Sequence, residues 1–184
     1  DSEAPDVGLK IWNQTIGNIG AEEGTASPAV ADGLVFIGTQ PGTMYCLNMT
    51  TGAILWTYTT GGDIVGSPAV AGGKVYIGSG DTYVYCLNES TGDMVWRYKT
   101  GAAVKSSPAV NGSLLYIGSD DGKLYCLDIS TTPPTSVWNC TIGDRVESSP
   151  AVAGSLIFVA SYDNKLYAIN ATGGLKWSYT TGDD

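Results

Sequence analysis

The chain of 184 residues is 43% hydrophobic and carries 9 basic against 18 acidic residues, a net charge of −9. This balance disfavours nucleic acid and anionic lipid as partners, because both bind to basic surfaces. The complete absence of histidine excludes histidine-based catalysis, haem ligation and histidine metal sites. No stretch approaches the roughly 18 apolar residues of a membrane span, so no membrane insertion is expected.

The N-terminal part of the chain precedes a set of repeated units. Residues 1–8 are predicted to be a tail, and their polar start lacks a secretory leader, so an exported protein would be in its mature form. Residues 9–26 are predicted to form one strand and a linker, because LKIWNQTIG matches only the tryptophan strand of the later units. The side chains that would mediate assembly through this strand are Leu9, Ile11, Trp12 and Ile16.

Four repeated units follow, each beginning at a copy of SPAV, with spacings of 40, 40 and 42 residues. Each unit reads as four strands: SPAV, an apolar run such as KVYIG, a third strand such as KLYCLD, and a fourth that contains tryptophan. Turns with glycine separate these runs, and β-branched and aromatic residues fill them. This period and strand count indicate one propeller blade per unit. The predicted blades, which together form one domain, are residues 27–66, 67–106, 107–148 and 149–184.

The five tryptophans occupy the same position of successive fourth strands. A large ring at that position in every blade is predicted to pack between neighbouring blades and to stabilise their contact through buried apolar area. A tryptophan can also form a platform for a ligand, but one copy per blade favours the architectural role. The residues are Trp12, Trp56, Trp96, Trp138 and Trp177.

The shared pattern SSPAV…G.LYIGS.DG.LYCLD…TG…W.Y.TG resembles the PQQ-like β-propeller repeat, over residues 9–182. Proteins with this repeat include quinoprotein dehydrogenases and non-catalytic propellers such as the bacterial outer-membrane assembly scaffold. The resemblance implies an all-β propeller of four-stranded blades, here four full repeats plus an extra N-terminal outer strand. Such propellers usually close with about seven or eight blades, so four blades would leave apolar faces and strand edges open.

Open ends of this kind predict association, and three arrangements are compatible with the sequence. Two chains could complete one eight-bladed ring, or the orphan strand could join the terminal blade of a neighbouring copy and propagate into a fibre. Alternatively, the chain could be a module of a longer protein. Self-association through the open ends is the preferred hypothesis.

The resemblance also defines what a catalytic member would need. Quinone-dependent members carry a vicinal disulfide, calcium-binding acidic residues and a catalytic aspartate at the ring centre. This chain has no adjacent cysteine pair, and its acidic residues fall mostly in turns such as Asp120-Asp121-Gly122. A calcium loop needs several oxygen ligands at close fixed spacing, and no segment supplies them. We therefore expect neither an enzyme nor a bound cofactor or metal.

The cysteines fall into two groups. Cys46, Cys86 and Cys126 share one third-strand position, too far apart in adjacent blades for a disulfide, and are predicted to be small buried apolar residues. Cys140 replaces the tyrosine of the other units, on the strand antiparallel to that of Cys126. A Cys126–Cys140 bridge is the one disulfide that the pattern favours, and four free thiols are the alternative.

The sequence contains six N-x-S/T sequons, whereas chance would supply roughly one or two at this composition. They lie in turns or on outer strands, so glycosylation is a candidate modification of an exported protein. The sequon asparagines are Asn13, Asn48, Asn88, Asn111, Asn139 and Asn170.

These patterns predict a non-catalytic, extracellular or envelope-facing propeller that acts as a structural, self-assembling protein, such as a fibre, sheath or surface-layer subunit. Its expected partners are copies of itself. The first alternative is a scaffold that holds another envelope protein. A quinone-binding or sugar-binding propeller is the remaining alternative.

Overall fold

The computed structural model describes residues 11–16 and 26–182. These residues contain sixteen β-strands and no helix, arranged as four separate four-stranded sheets. The all-β propeller predicted from the repeats is confirmed, with one sheet, or blade, per repeat. In each blade the strands follow one another in chain order and pair antiparallel, so a blade is a four-stranded meander.

The strand bounds repeat closely from blade to blade. Blade 1 consists of β1 (Ala29–Ala31), β2 (Leu34–Gly38), β3 (Thr43–Asn48) and β4 (Ile54–Thr59), and blade 2 of β5 (Ala69–Ala71), β6 (Lys74–Gly78), β7 (Tyr83–Asn88) and β8 (Met94–Lys99). Blade 3 consists of β9 (Ala109–Asn111), β10 (Leu114–Ser119), β11 (Lys123–Asp128) and β12 (Thr135–Thr141), and blade 4 of β13 (Ala151–Ala153), β14 (Leu156–Ser161), β15 (Lys165–Asn170) and β16 (Leu175–Thr180).

Local sequence fixes the first hairpin of a blade. Asp32 and Gly33 connect β1 to β2 with φ angles of 47° and 78°. Positive φ at both turn positions gives the two-residue turn whose twist matches that of the flanking strands. A β-bulge then interrupts the pairing of the third and fourth strands at the same step in all four blades. The register at this step is the same in all four blades, with Cys46 opposite Trp56 in blade 1. Each blade therefore has its tryptophan at an equivalent position.

The hydrophobic core lies between the blades. We call the side of a blade that faces the next blade in the chain its outgoing face, represented in blade 1 by Phe36 and Met44. The opposite side is the incoming face, represented in blade 2 by Val75 and Ile77. Three buried clusters each join one outgoing face to the next incoming face, and these four side chains are completely buried. Each blade is therefore stabilised mainly by its neighbours.

The four blades form an arc with two ends. Consecutive first strands touch one another, β1 with β5, β5 with β9 and β9 with β13. No contact of similar extent joins blade 4 back to blade 1 within the described residues. The outgoing face of blade 4 and the incoming face of blade 1 are thus the two end faces.

The extra N-terminal strand differs from its prediction. Residues 11–16 form no strand, and no strand of the described residues pairs with them. Leu9 lies outside the described residues, whereas Ile11 is exposed and Trp12 and Ile16 are half-buried.

Candidate protein-interaction surface

Tryptophans of the outgoing faces dock onto the next blade. Trp56 donates from Nε1 to the carbonyl oxygen of Glu89 at 2.9 Å, and Trp138 donates to that of Ala171 at 2.9 Å. The Trp56 ring lies on Gly92, where a Cβ atom would come within 2.6 Å of it. Gly92 also has a φ of 76°, so both the close approach and the backbone favour glycine. We call this arrangement the tryptophan dock.

Trp96 of blade 2 contacts blade 3 differently, because the turn between β11 and β12 of blade 3 carries the altered sequence STTPPT. Trp96 is only 4% exposed and packs with its ring centroid 5.9 Å from that of Tyr76. Its Nε1 is nevertheless buried without a hydrogen-bond partner among the described residues. The ring contact is therefore general, whereas the indole hydrogen bond depends on the usual turn.

A carboxylate forms a second contact between blades. Asp81 Oδ2 accepts hydrogen bonds from the Gly61 amide of the preceding blade at 2.7 Å and from the Tyr85 hydroxyl at 2.6 Å. Asp121 repeats this with Gly101 at 3.1 Å. The spacing is Asp-x-x-x-Tyr, and we call it the aspartate latch. Burial is the main reason why the pKa of the Tyr85 phenol rises to about 12, and its bond to Asp81 adds to the effect.

Blade 4 completes the series of latches with Asp163, which accepts a hydrogen bond from Tyr167. Its carboxylate lies where a side chain on Gly143 of blade 3 would collide with it. These acids were predicted only to stabilise their own turns, although the Asp-x-x-x-Tyr spacing in three of four units was a visible signal. Blade 1 has Pro41 at the aspartate position and Tyr45 four residues later, so it lacks the latch.

The serine of SPAV provides a third contact near the axis. The Ser27 amide donates to Ser67 Oγ at 2.8 Å, and the Ser67 amide donates to Ser107 Oγ at 2.8 Å. Ser107 continues the ladder to Ser149 at 3.3 Å. One hydroxyl per blade thus satisfies a backbone donor of the blade before it.

The outgoing face of blade 4 is open. Trp177 is 45% exposed and Tyr179 is 67% exposed, while the equivalent Trp96 is almost fully buried. Trp177 still pairs with Phe158 of β14 inside its blade, with ring centroids 5.9 Å apart, as every blade's tryptophan does with the aromatic residue of its second strand. The outgoing face of blade 4 therefore has the aromatic residues of an interior face, but no blade packs against it within the described residues.

The incoming face of blade 1 instead contacts the N-terminal segment at the turn between β3 and β4. Trp12 donates from Nε1 to the Met49 carbonyl oxygen at 2.8 Å, and its ring lies on Gly52 as Trp56 lies on Gly92. Its segment WNQTIG differs from WNCTIG of residues 138–143 at one position. Residues 11–16 thus take the place of a preceding blade's fourth strand, although they form no strand.

Charged side chains from the segments that precede β9 and β13 meet a carboxylate of blade 3. Lys105 contacts Glu147 at 3.1 Å and Asp120 at 3.7 Å, and Tyr162 donates to Glu147 at 2.9 Å. Burial raises the pKa of Asp120, and Lys105 opposes that effect. Lys105 thus holds two carboxylates, and the network links the segments that precede β9 and β13 to blade 3 and to Tyr162 of blade 4.

The donor set does not fit a quinone centre. Among residues 11–16 and 26–182, no group of three or more cysteine, aspartate or glutamate side chains is placed to hold a metal ion. The chain also lacks adjacent cysteines. No step of a quinone-dependent reaction is therefore assigned to it.

The predicted Cys126–Cys140 disulfide is not formed in the structure, where all four cysteines are free thiols. Cys126 faces Trp138 and Cys140 faces Leu124, so the two cysteines are diagonal neighbours on their strands. Diagonal positions lie about 7–8 Å apart, beyond the reach of a disulfide. Cys46, Cys86 and Cys126 are fully buried, which confirms the prediction that they are small core residues. Burial raises the pKa of the Cys86 thiol to about 12.

The sequon asparagines differ in accessibility. Asn48, Asn88 and Asn170 are half-buried, and their Oδ1 atoms accept backbone hydrogen bonds within their own turns. The remaining three asparagines are exposed: Asn13, Asn111 and Asn139.

The described residues include no helix with the length and apolarity needed to cross a membrane. Fold and interfaces together define the class of protein: an open array of PQQ-type propeller blades, joined by tryptophan docks and aspartate latches.

Comparison with known proteins agrees with this class. A family model described as outer membrane protein assembly factor BamB matches residues 3–103 and 80–184. The chain therefore belongs to this family of BamB-like propeller repeats. No curated protein sequence matches it significantly.

Solved structures share the fold. BamB from Moraxella catarrhalis is 24% identical with a TM-score of 0.69, over 83% of this chain and 48% of that chain. The computationally designed protein Ika8 is 16% identical with a TM-score of 0.72, over 84% and 48%. The quinohemoprotein alcohol dehydrogenase ADHIIG from Pseudomonas putida HK5 is 18% identical with a TM-score of 0.70, over 84% and 34%. The chain thus spans about half the length of BamB, or less in the dehydrogenase.

Proposed function

We propose that the chain is a non-catalytic interaction scaffold of the cell envelope, which binds another protein through the outgoing face of blade 4. The observation that carries this proposal is the exposure of Trp177 and Tyr179 on a face whose aromatic counterparts in the other blades are buried or half-buried. Membership of the BamB-like family supports an envelope role, since the family is described as an outer membrane assembly factor.

The chemistry of the end face suits protein binding. Tryptophan and tyrosine are the residues that contribute most to binding energy at interfaces, and contiguous apolar patches on a soluble surface mark such sites. The acidic character of the chain agrees with a protein partner better than with nucleic acid.

A site-specific photo-crosslinker tests this proposal. It is placed at Tyr179 on the open face and, as a matched control, at Thr57 on the exposed side of the outer strand of blade 1. In the envelope fraction of producing cells, we expect a discrete adduct from position 179 that position 57 does not give. Equal adducts at both positions, or none at 179, would contradict the proposal.

Self-association is the second candidate function, favoured by the presence of an exposed tryptophan at one end and a tryptophan dock at the other. It predicts a mass in solution well above 19.1 kDa. Removal of residues 1–17 separates two modes of association: it abolishes a polymer in which the N-terminal segment joins a neighbouring copy, and it leaves one in which Trp177 enters the vacated dock of blade 1. A single monomeric species by light scattering would leave the scaffold as the remaining function.

An extracellular or envelope location is part of the proposal. If the producing cell glycosylates exported proteins, the exposed Asn13, Asn111 and Asn139 are the preferred glycan carriers. The half-buried asparagines are held in their turns and are expected to stay unmodified. Mass spectrometry of the native protein distinguishes the two groups.

A further inference from the structure

The open face of blade 4 presents several groups that lack a partner there, although the equivalent groups of the other blades have one. Trp177 has no hydrogen bond to its Nε1 among the described residues, and Tyr179 lacks an aromatic neighbour such as Tyr85 provides for Tyr58 at 5.9 Å. A Cβ atom built on Gly182 would meet nothing within 4 Å, whereas one on the equivalent Gly101 meets Asp121 at 2.4 Å. The interior interfaces therefore show which partner each of Trp177, Tyr179 and Gly182 lacks.

The three interior interfaces define what a covering blade must supply. It needs a glycine turn with a free carbonyl for the indole, as Gly92 and Glu89 provide for Trp56. It also needs an aspartate latch for the glycine that follows the fourth strand, as Asp81 provides for Gly61. Together these elements describe a blade of this same repeat type.

Blade 1 of a second copy does not supply this set. Its glycine turn and the Met49 carbonyl are already occupied by Trp12 of its own chain. Its latch position is Pro41, which offers no carboxylate to Gly182 of another copy. A tethered segment has a high effective concentration, so an incoming Trp177 would have to displace it at a cost.

We infer that the open face of blade 4 binds a partner blade of the same repeat type that carries the Asp-x-x-x-Tyr latch and an unoccupied glycine turn, and not blade 1 of a second copy. This inference rests on the proposed scaffold function, because it names the partner class of that face. It argues against the second candidate function.

The test converts blade 1 into such a partner within the full chain. Trp12→Ala empties the glycine turn, and Pro41→Asp restores the Asp-x-x-x-Tyr spacing to Tyr45. We expect the wild-type chain to remain monomeric by light scattering and the double variant to form a dimer of twice 19.1 kDa, as an eight-bladed ring. The matched control, Trp12→Ala with Pro41→Ala, lacks the carboxylate and should associate at least about tenfold more weakly.

Adding Trp177→Ala to the double variant should abolish the dimer, which assigns the contact to the open face. Circular dichroism and thermal unfolding establish that each variant is folded. A wild-type dimer that depends on Trp177 would overturn the inference, since a second copy would then be the partner. A folded double variant that stays monomeric would overturn it as well. Both results come from the purified chain alone, so they are independent of crosslinking to an envelope protein.

Discussion

Glu89 lies in the turn between β7 and β8, where its backbone carbonyl receives the Trp56 indole. Its side chain is only 4% exposed, and Oε1 has no hydrogen-bond partner among the described residues. Burial is the main reason why the pKa of this carboxyl is raised, and the nearby Asp32 raises it further. The equivalent residues of the other blades, Met49, Ile129 and Ala171, are apolar.

Replacing Glu89 by methionine is therefore expected to stabilise the protein at neutral pH by about 1–3 kcal/mol, because a buried unpaired carboxylate is removed. A raised pKa means that the wild-type carboxyl costs stability only once pH exceeds its unfolded pKa. The advantage of the variant should therefore shrink as pH falls through the raised pKa of the folded state and be largely lost below about 4.5. Urea unfolding at pH 7 and pH 4 measures both values, and an equal difference at the two pH values would contradict this account.

Buried phenols and thiols also link stability to pH. The pKa of Tyr85, Tyr125 and Tyr167 rises to about 12 in the fold, first through burial and then through their bonds to the latch aspartates. Burial likewise raises the pKa of the Cys86 thiol from 9.0 to about 12. For each group the folded state holds its proton more tightly than the unfolded chain.

We expect stability to be independent of these groups below about pH 9 and to fall as pH rises to about 12, because the unfolded chain loses the protons first. Thermal unfolding from pH 7 to 12 measures the profile. Tyr85→Phe should flatten the part above pH 10. A profile that declines between pH 7 and 9 would require another titrating group.

Among the structural elements, the aspartate latch joins a turn of one blade to the end of the fourth strand of the blade before it. Asp121 accepts from the Gly101 amide and, at 2.5 Å, from the Tyr125 hydroxyl. The Lys123 amide also donates to the other oxygen of this carboxylate, at 3.1 Å. The latch therefore orders two blades with a single carboxylate, and its loss removes the acceptor of three donors.

Asp121→Ala is expected to lower the free energy of unfolding by about 2–3 kcal/mol and Tyr125→Phe by about 1 kcal/mol, because the first change removes an acceptor shared by three donors. The double variant should cost less than the sum, since both changes act on one network. Chemical denaturation measures all three. Strict additivity would show that the tyrosine and the carboxylate act independently.

The tryptophan strands offer a comparison of one residue type in two environments. Trp96→Ala removes an almost fully buried ring between blades 2 and 3, and we expect a loss of about 3–5 kcal/mol. Trp177→Ala removes a ring that is 45% exposed on the open face, with an expected loss below about 1 kcal/mol. Equal losses would mean that the face of blade 4 is covered in solution.

At the scale of the whole molecule, the arc behaves as a linear array, because within the described residues the extensive contacts of each blade are with its neighbours in the chain. Interior blades are supported on two sides, and blade 4 on one side only. Stability in such arrays is close to a sum of unit and neighbour terms, so it decreases toward an uncovered end.

Amide hydrogen exchange should therefore be slower in blade 3, at β11, than in blade 4, at β15, although the two strands are equivalent. Blade 1 should be intermediate, since Trp12 covers its incoming face, and Trp12→Ala should accelerate exchange there. Mass spectrometry of peptic fragments resolves the strands. Uniform protection across all blades would contradict a linear array.

The repeats determined much of this structure from sequence alone. Strands of alternating apolar residues separated by glycine turns predict a meander locally, and four copies in register predict four equivalent blades. The position of the tryptophans predicted their packing between blades, because one large ring per repeat on the outer strand can be buried only by a neighbour. SPAV could be assigned to the first strand, and its serine ladder follows from the stacking of those strands.

Other features depended on the tertiary structure, because they join residues that are distant in sequence. Spacing placed Cys126 and Cys140 on adjacent strands, but only the register showed that they are diagonal. The aspartates occupy turn positions in the sequence, and only the tertiary structure shows that Asp81 accepts a hydrogen bond from the Gly61 amide of the preceding blade. Joining a neighbouring copy was one of three arrangements open to the N-terminal strand, and only the tertiary structure shows that Trp12 contacts blade 1 of its own chain. Local sequence thus determined the blade, and contacts between blades decided which end of the arc is covered and which is open.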